Sequence, residues 1–230
     1  MKIIRHARHS DRVRRIEGAL AIAGVGGGVL LWSESAHLIG YGFAAAAFLS
    51  LGGINSGVKA LRNYNRHHRG AEGEQAVIAA LRVLPDGYTC ITNFVVPGTR
   101  NGDTDLLVIG PHGVAVVEVK SYTGHFACQG DIWYQIRDDG SRQPLRGSVS
   151  RQLKRNRKAV QHYLVDCDHS LPVYAVAVFR ETAHLDLNQP TVPVMSPQDL
   201  SAYIKSLPAR HEMSTCDDLE SLFAPTPKVS

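Results

Sequence analysis

The chain has 230 residues, 44% of them hydrophobic and 20% charged, which excludes wholesale disorder and allows one ordinary domain with an appendage. Its net charge of +4 is a mild basic excess, compatible with nucleic acid without demanding it. Cys90, Cys128, Cys167 and Cys216 lie far apart with no CxxC pair, which excludes a zinc knuckle and suits a reducing, cytosolic setting for the main domain.

Two uncharged runs open the chain, residues 18–32 (GALAIAGVGGGVLLW) and 38–54 (LIGYGFAAAAFLSLGGI), joined by a short polar break around Glu34. The second run, counted from Ala36, nearly reaches the roughly 20 apolar residues that a bilayer core requires of a helix, and the first is shorter and rich in glycine. The pair reads as a transmembrane helical hairpin, with Trp32 and Tyr41 at the interface. Its glycines would let helices approach closely, in the hairpin or in a homo-oligomer. Lys2, Arg5, Arg8, Arg12, Arg14 and Arg15 precede the first run, and Lys59, Arg62, Arg66 and Arg69 follow the second. Positive residues stay on the cytoplasmic side, so the N-terminus and the following domain are both expected there. A buried soluble helix pair and a targeting segment are the competing readings. The expected division is a basic N-terminus and hairpin over 1–57, a basic linker over 58–70, a main domain over 71–207 and a flexible, proline-containing tail over 208–230.

Within the main domain, residues 71–84 place Ala76, Val77, Ala80, Leu81 and Leu84 at helical spacing. Tyr88 to Val96 reads as a strand. Two apolar runs follow, Asp105 to Ile109 and Val114 to Val119, across Gly110-Pro111-His112-Gly113. Gly124 to Cys128 and Ile132 to Arg137 form a further hairpin, Ser148 to Val165 a helix, and Val173 to Phe179 a buried strand. Ser196 is an N-cap, with Pro197 at the first position of a helix ending near Leu207.

The tight turn at Pro111-His112 fixes a register. If Gly110 faces Gly113, then Leu107 faces Val116 and Asp105 faces Glu118. Both faces of this hairpin are apolar, so it is expected to be covered on both sides. Like charges directly opposite each other destabilise a sheet. The remedies are a shared proton, a neighbouring cation or a bound metal ion. Lys120 shares the face of Glu118. Carboxylates are hard ligands that suit Mg2+ or Mn2+. On the spacing alone, a structural Glu118–Lys120 pair with Asp105 capping a turn remains an equal reading.

Further residues carry a resemblance. Gly70-Ala71-Glu72-Gly73-Glu74 opens a helix, Gly102-Asp103-Thr104-Asp105 precedes an apolar strand, and Gly113 to Lys120 is followed by Gly124. With Trp133, Pro144 and the helix containing Gln152, this pattern resembles the nuclease-related domain (NERD) family, placed in the PD-(D/E)XK nuclease superfamily, over roughly residues 70–207. Thr104 departs from the aliphatic residue that the family often carries there. The resemblance implies an α/β, restriction-endonuclease-like fold, a mixed central sheet flanked by helices. It also implies a metal-dependent phosphodiesterase. Asp105, Glu118 and the Val119 backbone carbonyl would hold Mg2+ or Mn2+, Lys120 would assist the reaction, and Glu74 would join the metal through water. Gln152 matches a family position near the active site.

The helix from Ser148 also carries Arg151, Lys154, Arg155, Arg157 and Lys158, a run that meets phosphates or is simply solvated. Gln152 and Asn156, four apart, share a face. His112, His125, His162 and His184 show no ligand spacing and read as structural. The expected function is a membrane-tethered nuclease acting on nucleic acid, with DNA favoured over RNA. The alternatives are a catalytically silent nucleic-acid-binding module and a membrane adaptor of the same fold.

Overall fold

The computed structural model describes residues 1–5, 71–99, 103–209 and 214–223. The chain divides into two compact units, Met1–His6 with Glu72–Ser230, and Ala7–Ala71 between them in sequence. The segments expected as an apolar hairpin and a basic linker lie outside the described residues. Among the described residues, no helix is long and apolar enough to cross a membrane.

The first sheet has the order β1-β2-β3-β4-β8-β10. Its strands are β1 (Lys2–Arg5), β2 (Thr89–Val95), β3 (Asp103–Gly110), β4 (Gly113–Lys120), β8 (Val173–Phe179) and β10 (Val194–Met195). The central hairpin β3–β4 adopts the expected register, with Leu107 opposite Val116 and Gly110 opposite Gly113. Gly113 sits at φ +106°, and a Cβ there would come within 2.4 Å of the Pro172 carbonyl oxygen, so only glycine closes this turn. Strand β2 runs antiparallel to β3, and β8 runs parallel to β4.

The hairpin is covered on both faces, as its apolar sequence requires. On one side helix α2 (Val149–Asp166) packs Leu153, Val160 and Leu164 over Leu107, Ile109, Val114 and Val116. On the other, helix α1 (71–81) and helix α3 (Pro197–Ser206) set Val77, Ile78, Leu81, Leu200 and Ile204 against Leu106, Val108, Ala115 and Val117. The stripe of α1 differs from the expected one: Ile78 is buried and Ala76 exposed. Ile78 removes more apolar area from water than an alanine can, so it takes the inward position.

A second sheet has the order β7-β6-β5-β9, formed by β5 (Gly124–Gln129), β6 (Ile132–Ile136), β7 (Arg142–Pro144) and β9 (Ala183–Asn188). The expected single central sheet is therefore two mixed sheets flanked by helices. The β5–β6 hairpin was legible, but it pairs with β7 and β9 rather than with β4. Trp133 joins the sheets: its ring stacks on Phe179 at 5.0 Å between centroids, and its Nε1 donates to Ser150 Oγ on α2 at 2.9 Å.

The helix starts were placed correctly. Ser148 caps α2, accepting from the Arg151 amide at 3.1 Å. Pro197 opens α3, although the Ser196 hydroxyl donates to the Asp199 carboxylate at 2.7 Å instead of capping. Two ends of the chain differ from expectation. Lys2–Arg5 is a strand, β1, running parallel to β2. The stretch expected as a flexible tail contains helix α4 (Ser214–Phe223), whose Leu219 and Phe223 are buried. Phe223 meets Phe94 edge-on at 4.9 Å, and Tyr163 Oη donates to the Leu222 carbonyl at 3.1 Å. Two apolar residues one helical turn apart are enough to dock so short a helix.

Candidate active site

The paired ladder of β3 and β4 runs out at Leu106–Val117, one step before Asp105 and Glu118. On the other flank, β2 pairs with β3 on either side of Asn93, which sits at φ +56° beside Asp105. Asparagine is among the few side chains that tolerate this conformation. Regular pairing is thus suspended on both flanks of Asp105. Its Oδ2 accepts from the Val119 amide at 2.7 Å. That bond holds the carboxylate of one strand against the backbone of the next.

Glu118 is 1% exposed, yet its carboxylate is well supplied with donors. Oε1 accepts from Lys120 Nζ and from Gln152 Nε2, each at 2.6 Å, and Oε2 accepts more weakly from Asn156 Nδ2 at 3.4 Å. Lys120 Nζ also donates to Gln152 Oε1 at 3.3 Å. The strand alternation aims Glu118 and Lys120 at α2, and the i, i+4 spacing of Gln152 and Asn156 returns two amides to meet them.

Burial, and then the charge of Glu118, push the Asp105 carboxyl up to about 7, against the opposing pull of Lys120 and the Val119 amide. Burial alone would lower the Lys120 ammonium, but the charge and hydrogen bond of Glu118, with Asp105 behind them, raise it above its ordinary value. Two acids against one lysine leave a negative excess in a nearly dry site. A proton on Asp105 would relieve that excess, and two carboxylates are donors of the hard kind that divalent cations take.

A pH-dependent stability follows. The Asp105 proton is bound more tightly in the folded chain than at the ordinary value of 3.8, so its contribution is full below about pH 4 and is lost as pH rises through about 7. At about pH 5.5 a divalent cation must displace that proton, which costs about 2 kcal/mol. Adding Mn2+ is therefore expected to raise the melting temperature by roughly 4–8 °C more at about pH 8 than at about pH 5.5. Differential scanning fluorimetry of wild type and Asp105→Asn measures this. An equal gain at both values, or an undiminished difference in the variant, contradicts the assignment.

The other anticipated residues divide. Glu74 is half-buried in the first turns of α1, on the sheet face opposite α2. Those turns abut the end of β4 so closely that a Cβ on Gly73 would lie 1.9 Å from Ser121 Oγ. Arg151, Arg155 and Lys158 are exposed and follow i, i+4, i+7 spacing, a single stripe beside Gln152. Arg155 and Lys158 line a cleft of about 440 Å³ whose other wall is residues 96–99. Lys154 lies on the other flank of α2, where its ammonium is bound to Asp131 at 2.9 and 3.1 Å. The sequence reading noted Asn156 but assigned it no site role. The available signal was a buried amide one turn after Gln152, inside the apolar stripe.

The described residues form a mixed α/β module, two mixed sheets flanked by helices. Residues 69–180 match the family model of the nuclease-related domain, NERD, a domain of the PD-(D/E)XK-like nuclease superfamily. No curated protein and no solved structure matches the chain.

Proposed function

We propose that this protein is a metal-dependent nuclease that hydrolyses phosphodiester bonds of DNA, tethered to a membrane by its N-terminal apolar hairpin with the nuclease domain on the cytoplasmic side. The observation that carries the catalytic part is the Asp105–Glu118–Lys120 group, in which burial, and then the charge of Glu118, push the Asp105 carboxyl up to about 7. The carboxylates of Asp105 and Glu118 would hold Mg2+ or Mn2+. The Val119 carbonyl would be a third ligand: in a strand the amide and carbonyl of one residue point to the same edge, and the Val119 amide already meets Asp105. A bound divalent ion supplies Lewis acidity toward water and the scissile phosphate.

Lys120 then orients the attacking water or steadies the charge that builds on phosphorus. Gln152 and Asn156 hold Glu118 in place, and Gln152 also fixes Lys120. Glu74 contributes from the start of α1, through water. Arg151, Arg155 and Lys158 receive the phosphate backbone along their stripe, so affinity falls steeply with salt. Lys154, engaged by Asp131, is left out of this set.

The test is cleavage of DNA by the full chain with Mg2+ or Mn2+, against chelator and against Glu118→Gln, with RNA as a parallel substrate. Cleavage that needs metal and Glu118 supports the proposal. Salt-sensitive binding with no cleavage leaves the silent binding module, and neither activity leaves the adaptor. Membrane attachment is read separately, as loss of the chain from the membrane fraction when residues 18–54 are deleted.

A further inference from the structure

We infer that His125, His184 and Asp186 form a second metal site, one for a transition-metal ion such as zinc, on the four-stranded sheet. The three residues are remote in sequence, and strand pairing assembles them. Strands β5 and β9 run parallel with His125 opposite His184. Asp186 lies two residues beyond His184, so all three side chains project from one face. Their ligand atoms lie within 4.8 Å of one another. The two imidazole rings meet edge to face with centroids 5.0 Å apart, and His125 Nε2 lies 2.8 Å from Asp186 Oδ2.

The donor set decides the class of ion. Two imidazoles and one carboxylate suit zinc and its neighbours, whereas magnesium and manganese prefer oxygen ligands such as those of Asp105 and Glu118. Three protein ligands also leave a tetrahedral ion one position for water or an anion. The surroundings permit entry. The side chains of His125 and Asp186 are 40% and 55% exposed. Next along the same face, Ala127 is small, and a cleft of about 430 Å³ opens there between Tyr134, Arg142 and Asp186. Arg142 gives that cleft a cation, suited to an anionic fourth ligand. None of this depends on the chemistry at Glu118.

The experiment is zinc titration of the full chain by calorimetry, with Co2+ as a spectroscopic probe of imidazole ligation. Wild type is compared with His184→Ala and with Glu118→Gln. Because the chain has other histidines, the reading is the difference between proteins. Wild type and Glu118→Gln are expected to take up one more equivalent of zinc than His184→Ala, whose affinity for that equivalent falls by more than about a hundredfold. His125→Ala and Asp186→Asn are expected to lose the same equivalent, and either replaces His184→Ala if that variant does not fold. Equal uptake by wild type and the three variants overturns the inference, reducing the cluster to an exposed His–Asp hydrogen bond. An equivalent lost in Glu118→Gln but kept in His184→Ala overturns it as well, because the ion would then sit in the nuclease-like site.

Discussion

Lys120→Ala is expected to slow metal-dependent cleavage by about a hundred- to a thousandfold, the usual effect of removing one charge-stabilising donor from a closed site, while divalent binding persists. The ammonium has two neighbours, Glu118 at 2.6 Å and Gln152 at 3.3 Å, and it opposes the rise of the Asp105 carboxyl. Without it Glu118 keeps the Gln152 and Asn156 amides, so the acid remains hydrogen-bonded although less neutralised. The negative excess grows by one charge. Above the range in which Asp105 holds its proton, Mn2+ should therefore bind as tightly as in wild type or more so. Below that range the stronger proton competes better and binding weakens. Glu118→Ala behaves differently, losing metal and cleavage together. Mn2+ titration followed by electron paramagnetic resonance, beside single-turnover cleavage, separates the cases. If Lys120→Ala loses metal and rate in parallel, the lysine is a structural partner of Glu118 and has no part in the reaction.

Phe223→Ala is expected to destabilise the Met1–His6 and Glu72–Ser230 unit by about 3–5 kcal/mol, the range for removing a buried aromatic ring. Phe223 is fully buried and lies 4.9 Å edge-on to Phe94 and 5.8 Å from the Tyr163 ring, between β2 and α2. Its loss opens a cavity behind the strand that flanks Asp105. The melting temperature should fall by roughly 6–20 °C, while Glu220→Ala, at a half-buried position on the same helix, changes it less. A fall equivalent to less than about 1 kcal/mol would mean that α4 is not docked in solution.

The legible parts of the fold were those fixed by local rules. A two-residue turn between glycines leaves β3 and β4 one plausible register, so the pairing as far as Leu106 and Val117, one step short of Asp105 and Glu118, could be read directly. The stripe Val149, Leu153, Val160 and Leu164 did the same for α2, while the place of Gln152 near the site came from the family resemblance. What escaped was non-local. Strands β1, β7 and β10 are 4, 3 and 2 residues long, too short to show an alternating pattern. They exist because an exposed sheet edge offers unpaired backbone groups. The partnership of His125 with His184 depends on β9 lying beside β5, which no spacing in the sequence announces. Docking of α4 rests on Leu219 and Phe223 in a stretch otherwise marked by prolines and polar residues. Asn156, read only as sharing a face with Gln152, is a donor to Glu118.

The parallel pairing of β1 with β2 has a topological consequence. Residue 5 and residue 72 belong to one folded body, so the path of the chain between them begins and finishes at that body. Any barrier met on such a path must be traversed an even number of times, or not at all. While Lys2–Arg5 stays in its sheet, a lone anchor that strands the first residues on the far side is geometrically forbidden.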